Sequence, residues 1–486
     1  MLFNSIDFAI FLPIVFILYW FVMNRNIKLQ NLFIVVASFV FYGWWDWRFL
    51  ALLFSSCVIN YFIGRLLSDQ KKKAKRRLLL WSALLYNLGL LVVFKYMDFF
   101  IAGFSSAFTF LGLPVSGSSL NIVLPVGISF FTFQALGYVI EVYRKNVVPT
   151  KDFIAFSAFV SFFPLILAGP IERASTLLPQ FFTKRSFDYS KATDGLRQIL
   201  WGLFKKIVIA DNCAGIANMI FYNDAGYSGS TLVLGALFYT VQIYADFSGY
   251  SDIAIGVARL LGFNIMRNFN NPYFSVSVAD FWRRWHISLS SWLRDYLFSP
   301  LSIKLRNWGM TGVVVSLFVT FLLCGMWHGA NYTFIVWGGL HGLALGWDVI
   351  TTRTRKKIRK KTNPVLYNSI SWFITFLFIV FTWIFFRAEN ISQAFHFINE
   401  IFTGLTLKSS YVTTIDLFFY NRIDYFTLIF IVIFIFIELC GKDHEYSLDY
   451  IRLKGRKPLR YAVYYAVIFA ILWYCGNENQ FLYFQF

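Results

Sequence analysis

Long apolar runs, separated by short polar or basic segments, recur along the whole chain. Runs of this length predict membrane-spanning helices, because about 20 apolar residues in a helix cross the hydrocarbon core of a bilayer. The predicted spans, some of which could be re-entrant, are 8–23, 30–45, 48–67, 78–95, 122–142, 153–169, 195–212, 231–259, 311–327, 332–350, 366–386, 425–440 and 461–477. No long polar insertion interrupts them, so we expect one membrane domain over residues 1–486.

Composition supports this pattern. The chain is 58% hydrophobic and 21% aromatic, with only 14% charged residues, which is too apolar for a soluble fold. The class expected is an all-α polytopic membrane protein. The first apolar run has no preceding Lys or Arg and no small-residue cleavage site after it, so it is predicted to be a retained span instead of a signal peptide.

The net charge of +19 is concentrated in short segments between apolar runs, at 71–77, 353–361 and 452–460. Basic loops of this kind face the cytoplasm, which places both termini outside and makes 388–424 an external connection. The charge therefore indicates topology, with contact to anionic lipid headgroups as a secondary role. No nucleic-acid partner is expected.

Segment 272–300 has the aromatic spacing of an amphipathic helix but carries too many charges to cross lipid alone. Its aromatic and apolar stripe is Trp282, Trp285, Leu289, Trp292 and Tyr296, and its charged positions are Asp280, Arg283, Arg284, Arg294 and Asp295. The segment is expected at the interface or buried beside a water-filled cavity. His286 falls at the edge of the stripe, and an interfacial helix with aromatic anchors explains it as well as a functional site does.

His328, in Trp327-His328-Gly329-Ala330, interrupts the apolar stretch from Val313 to Val349. An ionisable group at membrane depth is rare and usually functional, although a neutral imidazole hydrogen-bonded inside a helix bundle is an equal alternative. Two rows of small residues at a four-residue period flank it. They are Gly325 and Gly329, and Gly338, Gly342 and Gly346. The rows predict close helix packing, or else room for an acyl chain.

Three chemistries fit these residue types. Cys324 lies one helical turn before His328 and could act as a nucleophile, although cysteine is also an ordinary apolar filler. A metal site built from His286, His328 and His341 lacks a close-spaced ligand pair, and His341 shares a helix face with Asp348, which favours a structural hydrogen bond. No metal site or disulfide framework is predicted. The third chemistry is histidine as general base, whose pKa suits removal of a proton from an attacking hydroxyl.

The segment from Asp280 to Tyr296, with Trp327-His328-Gly329-Ala330 some forty residues later, resembles the membrane-bound O-acyltransferase family. It is most similar to the bacterial branch of alginate O-acetyltransferases and the D-alanyl transfer protein of teichoic acid synthesis. Further matches are Ala168–Ile171, Gly202–Lys206 with Ile209–Asp211, and Tyr244–Asp252. After Pro300-Leu301, however, Ser302-Ile303 stands where alginate-type members usually carry a glycine pair, which leaves the acceptor polymer open.

The resemblance implies a ring-like bundle of roughly 11–13 transmembrane and re-entrant helices in the bacterial cytoplasmic membrane. It implies that His328 is the catalytic histidine and His286 the second functional histidine. The substrate-binding residues we expect are Trp282, Arg283, Arg284, Trp285, Arg294, Asp295 and Trp327. The donor expected is an acyl-CoA, most simply acetyl-CoA, entering from the cytoplasm, with no permanently bound cofactor.

The acceptor implied is an extracytoplasmic polysaccharide, reached directly or through a separate serine-hydrolase-like partner protein. Two other classes of function stay open from the sequence. A glycan or lipid-linked sugar transporter would use its buried polar residues to line a path, but no inverted repeat is visible. A scaffold for polysaccharide export would tolerate replacement of the histidines.

Overall fold

A computed structural model describes residues 1–113, 122–222, 226–405, 408–419, 424–449 and 457–476. All regular elements within these ranges are helices. Six of them are long and apolar enough to cross a membrane, namely Trp47–Asp69, Lys73–Phe110, Gly229–Leu260, Arg306–His328, Tyr332–Lys361 and Pro364–Arg387. Shorter apolar helices cover Ile6–Val22, Ile27–Gly43 and Tyr425–Cys440. The expected all-α polytopic membrane fold is confirmed.

The chain forms two compact units, of which unit 1 comprises Met1–Ile199 with Ile253–Met266. Its helices are α1 (Ile6–Ile17), α2 (Ile27–Gly43), α3 (Leu50–Asp69), α4 (Lys73–Leu91), α5 (Met97–Phe110), α6 (Ile128–Arg144), α7 (Phe153–Ser161), α8 (Phe163–Ile166), α9 (Ala174–Leu177) and the beginning of α10 (Tyr189–Leu203). π-Helical segments at Leu18–Val22 and Val92–Tyr96 extend α1 and join α4 to α5, and 3-10 turns form at Trp47–Phe49 and Leu178–Phe181.

Unit 1 contains a pair of buried amides that joins α3 to α4. Asn60 Nδ2 donates to Asn87 Oδ1 (3.2 Å), and Asn87 Nδ2 donates back to Asn60 Oδ1 (2.8 Å). Both side chains are fully buried. Because lipid supplies no hydrogen-bond partners, a reciprocal amide pair of this kind fixes how the two helices face each other.

Unit 2 comprises Leu200–Asp252 with Arg267–Phe486. Its helices are α11 (Asp211–Tyr222), most of α12 (Gly229–Leu260), α13 (Val278–Arg284), α14 (Ile287–Leu293), α15 (Ser299–Lys304), α16 (Gly309–His328), α17 (Tyr332–Lys361), α18 (Pro364–Arg387), α19 (Ile391–Gly404), α20 (Lys408–Phe419), α21 (Tyr425–Cys440) and α22 (Lys457–Tyr474). π-Helical segments form at Phe204–Ala210 and Arg294–Phe298, and 3-10 turns at Pro272–Phe274 and Arg306–Trp308.

The glycine rows of unit 2 lie where α16 and α17 pack against each other. A Cβ added to Gly325 would lie 2.1 Å from the carbonyl oxygen of Phe334, and one added to Gly338 would lie 2.3 Å from that of Phe321. No side chain fits at these distances, so the backbones are in direct contact. Of the two interpretations of these glycines, close helix packing is the one that the structure confirms.

Several predicted span limits are wrong. The span at 78–95 is the middle of a helical run, Lys73–Phe110, and the span at 195–212 continues through α11 to Tyr222. The span at 153–169 is two short helices, because Pro164 has no N–H with which to continue α7. At that break, the N–H of Phe163 donates to Ser38 Oγ (3.1 Å) instead.

Two of the basic segments are also more helical than expected. Arg353 to Lys361 forms the last turns of α17 and not a loop, and Lys73 to Arg77 begins α4. The expected external connection at 388–424 contains α19 and α20. The third basic segment, 452–460, lies in part outside the described residues. The sidedness of all three stays a prediction.

Candidate functional site

His286 occupies a break between α13 and α14 in unit 2. Its backbone is left-handed, with φ 42° and ψ 55°, which is uncommon for a residue other than glycine. Two backbone hydrogen bonds to a neighbouring segment replace the helical ones: the N–H of Ile287 donates to the carbonyl of Asn268 (2.9 Å), and that of Asn270 to the carbonyl of Arg284 (2.8 Å). The expectation of one continuous amphipathic helix over 272–300 is therefore wrong.

The imidazole of His286 is fully buried, which agrees with the second of the two predicted locations of this segment, inside the protein and not at the interface. Its Nδ1 lies 3.1 Å from Asn268 Oδ1. The same oxygen accepts the backbone N–H of Ser288 (3.2 Å) and the Ser288 hydroxyl (2.9 Å). A backbone N–H can only donate, so Asn268 Oδ1 is an acceptor and His286 Nδ1 must carry the proton. The basic lone pair of the ring is therefore on Nε2.

Burial also sets the charge of this ring, which lies outside the six candidate spans. Desolvation lowers the pKa of His286 to about 3, so the imidazole is neutral at neutral pH. Neutral imidazole with a fixed tautomer is the form that can accept a proton or orient a hydroxyl group. Left-handed backbone outside glycine is itself frequent at functional sites, where the surrounding contacts hold it.

Asn268 is a site residue that sequence reasoning missed. It is fully buried, and its Nδ2 donates to Ser251 Oγ on α12 (3.2 Å). The available signal was the run Asn268-Phe269-Asn270-Asn271-Pro272, in which polar amides precede a proline inside an otherwise apolar chain. That composition indicates a turn, but only the fold shows that one of the amides reaches a histidine.

A chain of aromatic ring contacts connects His286 to His328. The ring centroids of His286 and Trp327 are 6.3 Å apart, and those of Trp327 and His328 are 4.9 Å apart. Phe247 also contacts His286 edge-on, with ring centroids 4.7 Å apart. The structure therefore brings the two predicted histidines and Trp327 into one aromatic cluster, with the indole of Trp327 between the imidazoles.

His328 is the last residue of α16, at the junction between the helices that correspond to the predicted spans 311–327 and 332–350. Gly329 follows in an extended conformation, and Asn331 caps α17 by accepting the N–H of Thr333 (3.0 Å). The imidazole is 4% exposed and is held edge-on by the rings of Trp337 (5.0 Å, 89°) and Phe386 (5.2 Å, 72°). Edge-to-face packing of this kind fixes the plane of the imidazole.

His341 has a structural hydrogen bond, as expected, but with a different partner from the one suggested by spacing. The indole N–H of Trp282 donates to His341 Nδ1 (3.1 Å). Asp348 instead pairs with Arg355 (2.9 Å) and accepts the N–H of Ala279 (2.9 Å). His341 thus anchors α13 to α17 through Trp282.

The three arginines predicted to bind substrate differ in their exposure and in whether they line a cavity. Arg283 and Arg294 have side chains that are 71% and 65% exposed, and their partners are Asp280 (3.4 Å) and Asp295 (2.8 Å). Both arginines line a cavity of about 480 Å³ whose other walls include Trp282 and Phe321. Arg284, Asp295, Trp285, His286 and His328 are not among its lining residues.

Trp285 is almost completely buried and stacks on Phe281 with centroids 5.4 Å apart and an interplanar angle of 17°. Trp383 packs on its ring at 5.1 Å. Arg284 is half-exposed and pairs with Asp280 (3.2 Å). The substrate-binding roles assigned to these residues from the sequence stay predictions, and for Trp285 the contacts are those of a core residue.

Two motifs that carried the family resemblance meet as buried ion pairs in unit 2. Lys205 Nζ lies 2.5 Å from Asp252 Oδ2, and Lys206 Nζ lies 2.9 Å from both Asp211 Oδ1 and Asp246 Oδ1. All of these side chains are almost completely buried. Buried charges persist only when they are paired. These ion pairs therefore hold the π-helical segment Phe204–Ala210 and α11 against α12.

Cys324 is fully buried in α16 and has no cysteine partner. Within the described part of the chain, no group of three His, Cys, Asp or Glu side chains is arranged to hold a metal ion.

The fold and site define a polytopic membrane protein with three buried imidazoles, and comparison with known proteins identifies its class. A sequence profile described as the membrane-bound O-acyltransferase family matches residues 33–388. The chain belongs to this family, which confirms the resemblance, and it is an O-acyltransferase.

Relatives extend over most of the chain. It is 38% identical over 445 residues to the probable alginate O-acetylase AlgI of Pseudomonas putida, covering 88% of each chain. It is 33% identical to the peptidoglycan O-acetyltransferase of Helicobacter pylori, covering 100% of this chain and 98% of that one. The teichoic acid D-alanyltransferase of Bacillus subtilis is more distant, 29% identical over 54% of this chain and 68% of that one.

Proposed function

We propose that this protein transfers a short acyl group, most simply acetyl from acetyl-CoA, to a hydroxyl of an extracytoplasmic polysaccharide or of a partner protein that acylates it. The relatives named above as O-acetylating enzymes act on alginate and on peptidoglycan, which are both polymers with free hydroxyls. The partner would be a separate serine-hydrolase-like protein. No comparison supports the transporter alternative.

One observation supports the reaction above the others: His286 and His328 lie in a single buried cluster, joined by Trp327. His328 is the general base in this proposal. Its ring plane is fixed by Trp337 and Phe386, and the extended Gly329 beside it presents no side chain. A neutral imidazole that is shielded from bulk water can take a proton and also limits hydrolysis of the donor.

The proposed step is a direct acyl transfer. The acceptor hydroxyl gives its proton to the His328 imidazole as its oxygen forms a bond to the thioester carbonyl carbon. The carbon–sulfur bond then breaks, and the departing thiolate takes up the proton. No acyl-enzyme intermediate is required, so Cys324 has no part in the scheme.

His286 is assigned to orientation. Its Nδ1–H is held by Asn268, so the lone pair of this buried ring is on Nε2. That lone pair would accept the hydrogen bond of an acceptor hydroxyl and position it for attack. When the acceptor hydroxyl is no longer oriented, transfer is slower but the general base is still present. His286 variants should therefore lose less activity than His328 variants.

The cavity lined by Arg283 and Arg294 is assigned to the donor. Its walls are mainly apolar, with Trp282 and Phe321 on one side, and the two exposed guanidinium groups can bind phosphates. Trp282 packs on Trp337 at 5.8 Å, and Trp337 packs on the His328 ring. In this proposal the cavity holds the coenzyme A part of the donor, and the thioester end extends past these rings to the His328 imidazole.

The test compares alanine variants of three histidines in cells that make the polymer. Polymer acetylation and protein level in the membrane fraction are measured together. His328→Ala should lose about 10²–10⁴-fold of transfer, the usual contribution of a positioned general base. His286→Ala should lose less, and His341→Ala should mainly lower protein level, because Trp282 loses its acceptor.

Normal acetylation by a well-expressed His328→Ala protein would refute the proposed role of this histidine. Deletion of the gene distinguishes transfer from transport. An exported polymer without acetyl groups supports the enzyme, whereas a fully acetylated polymer retained inside the cell would support a transporter. Release of thiol from acetyl-CoA by the purified protein, with an acceptor present, tests the donor separately.

A further inference from the structure

A second cavity, of about 260 Å³, lies in unit 1 and is lined by polar and basic residues. Its walls come from the segment 180–191, from the chain just after α12, and from Trp20. Lys184, Arg185 and Lys191 contribute the cations, and we refer to this cavity as the basic pocket. It lies apart in sequence from the histidine cluster, and the proposed acyl transfer makes no use of it.

Arg185 is the unusual member of the basic pocket, because it is 6% exposed and has only uncharged partners. Its Nη2 donates to Asn31 Oδ1 (2.6 Å), its Nε to Gln30 Oε1 (3.1 Å) and its Nη1 to the carbonyl of Gln180 (3.3 Å). Within the described residues, no carboxylate lies within ion-pair distance of this guanidinium. The guanidinium also lies over the ring of Phe263 (4.9 Å), a cation–π contact that stabilises the cation but brings no countercharge. A buried charge is normally paired, so an anion bound in the pocket would complete the environment of Arg185.

The other charged residues around the pocket do not supply that anion. Arg259 is neutralised by Asp194. Asp188 lines the pocket, but its Oδ1 is engaged by the backbone N–H groups of Ser190 (2.8 Å) and Lys191 (3.1 Å) at the start of α10. Lys184, Arg185 and Lys191 against the single carboxylate of Asp188 leave two net positive charges in the pocket.

Exposed aromatic side chains lie next to the pocket residues along the chain, and one of them, Phe187, lines the pocket. Phe182, Phe187 and Tyr189 are 51%, 49% and 75% exposed, and they alternate along the chain with the pocket's basic residues. Phe21, at the end of the first apolar helix and next to Trp20, is 78% exposed. Exposed aromatic rings interspersed with lysine and arginine are typical of the headgroup layer of a membrane.

We propose that the basic pocket binds the phosphate of an anionic phospholipid headgroup at the membrane interface. Arg185 supplies a buried guanidinium whose planar donors suit phosphate, and Lys184 and Lys191 add point charges at the mouth. A volume of about 260 Å³ accommodates a phosphate with part of its headgroup, since one water occupies about 30 Å³ of liquid. The exposed aromatic side chains near the pocket favour a lipid over a soluble phosphate as its ligand.

The experiment measures binding of dioctanoyl phosphatidylglycerol to the purified full-length protein in neutral detergent, by native mass spectrometry. Dioctanoyl phosphatidylcholine and inorganic phosphate are titrated in parallel. The test variant is K184Q/K191Q, which leaves Arg185 and the fold intact. The control is K151Q/K304Q, which removes the same charge from two exposed lysines that lie outside both the pocket and the three basic segments.

A lysine close to an anionic headgroup contributes about fivefold in affinity, so K184Q/K191Q should bind phosphatidylglycerol about 30-fold more weakly than the wild type. The control should bind within about twofold of the wild type, and phosphatidylcholine should bind weakly to all three. Equal affinities in wild type and K184Q/K191Q, or equal losses in both double variants, would overturn the proposal. Inorganic phosphate displacing the lipid at equal concentration would show a soluble-anion site instead and would also overturn it.

Discussion

Replacement of Asn268 tests whether the tautomer of His286 matters for transfer. Asn268 Oδ1 accepts from His286 Nδ1, from the backbone N–H of Ser288 and from its hydroxyl. Asn268→Leu keeps the side-chain volume but removes the acceptor, whereas Asn268→Asp keeps an oxygen in the same place. The two variants therefore separate the hydrogen bond from the packing of residue 268.

The magnitude follows from the groups that lose their partner. In Asn268→Leu, the N–H of Ser288 becomes a buried donor without an acceptor, and the Nδ1–H of His286 keeps only the long contact to the Ser288 hydroxyl (3.4 Å), at a cost of about 1–3 kcal/mol each. Moving the ring proton to Nε2 relieves the first cost but places the lone pair on the wrong atom. A preference of about 1–3 kcal/mol for the wrong tautomer corresponds to a loss of roughly 5- to 150-fold of the competent form.

Asn268→Asp should retain transfer within about tenfold, because its carboxylate still accepts the Nδ1 proton. It should also raise the pKa of His286, since an opposite charge stabilises imidazolium. The acidic limb of the pH–rate profile would then move to higher pH, a shift that a merely structural role does not produce. Ser288→Ala is the comparison variant, because it removes one donor to the same oxygen and a longer hydroxyl contact to Nδ1 (3.4 Å) but keeps the contact between Asn268 and the imidazole.

The assay is acetyl transfer per unit of membrane-inserted protein, measured between pH 3 and 9 for wild type and the three variants, a range that includes the lowered pKa of His286. Wild-type transfer by a well-inserted Asn268→Leu protein would refute the tautomer argument. So would an Asn268→Asp protein that inserts normally yet is as inactive as Asn268→Leu.

Three further predictions concern Cys324, the buried ion pairs of Lys206 and the membrane topology. Cys324→Ser should keep most transfer, and a labelled acyl group trapped on this cysteine would contradict direct transfer. Lys206→Met should cost about 3–5 kcal/mol of stability, because it leaves two aspartates buried without their cation, and should lower protein level far more than a methionine at the exposed Lys75. Cysteines introduced at Asn399 and Arg353 should be labelled from outside intact cells only at Asn399, and labelling at Arg353 would overturn the positive-inside topology.

The sequence was sufficient for the fold class because the apolar runs are long and the charges collect between them. The sequence was less informative about where each helix begins and ends, since hydropathy does not mark where a helix continues beyond the membrane. The run Lys73–Phe110 and the helical extension of α17 to Lys361 both continue through segments that the pattern assigned to loops. Backbone hydrogen bonding favours continuing a helix wherever no proline or cap ends it.

At the site, single residues were easier to predict than their surroundings. His328 stood out because an imidazole is rare in an apolar stretch, and His286 because of the family motif around it. Asn268 and Trp337 carried no such signal, since one amide and one tryptophan are unremarkable in their local sequence. Their importance depends on contacts across 18 residues to His286 and across nine to His328, which only the tertiary fold determines.

The buried charges of unit 2 and its histidine site are linked through α12. Asp246 and Asp252 on this helix pair with Lys206 and Lys205, and Ser251 beside them accepts the amide N–H of Asn268. The ion pairs are costly to bury, so they stabilise the unit little in comparison with apolar residues of the same size. They do fix the position of α12 relative to the π-helical segment, because a shift of one turn would leave several charges unpaired. A helix held in this way gives Asn268 a rigid support, and through Asn268 it determines which nitrogen of His286 is basic.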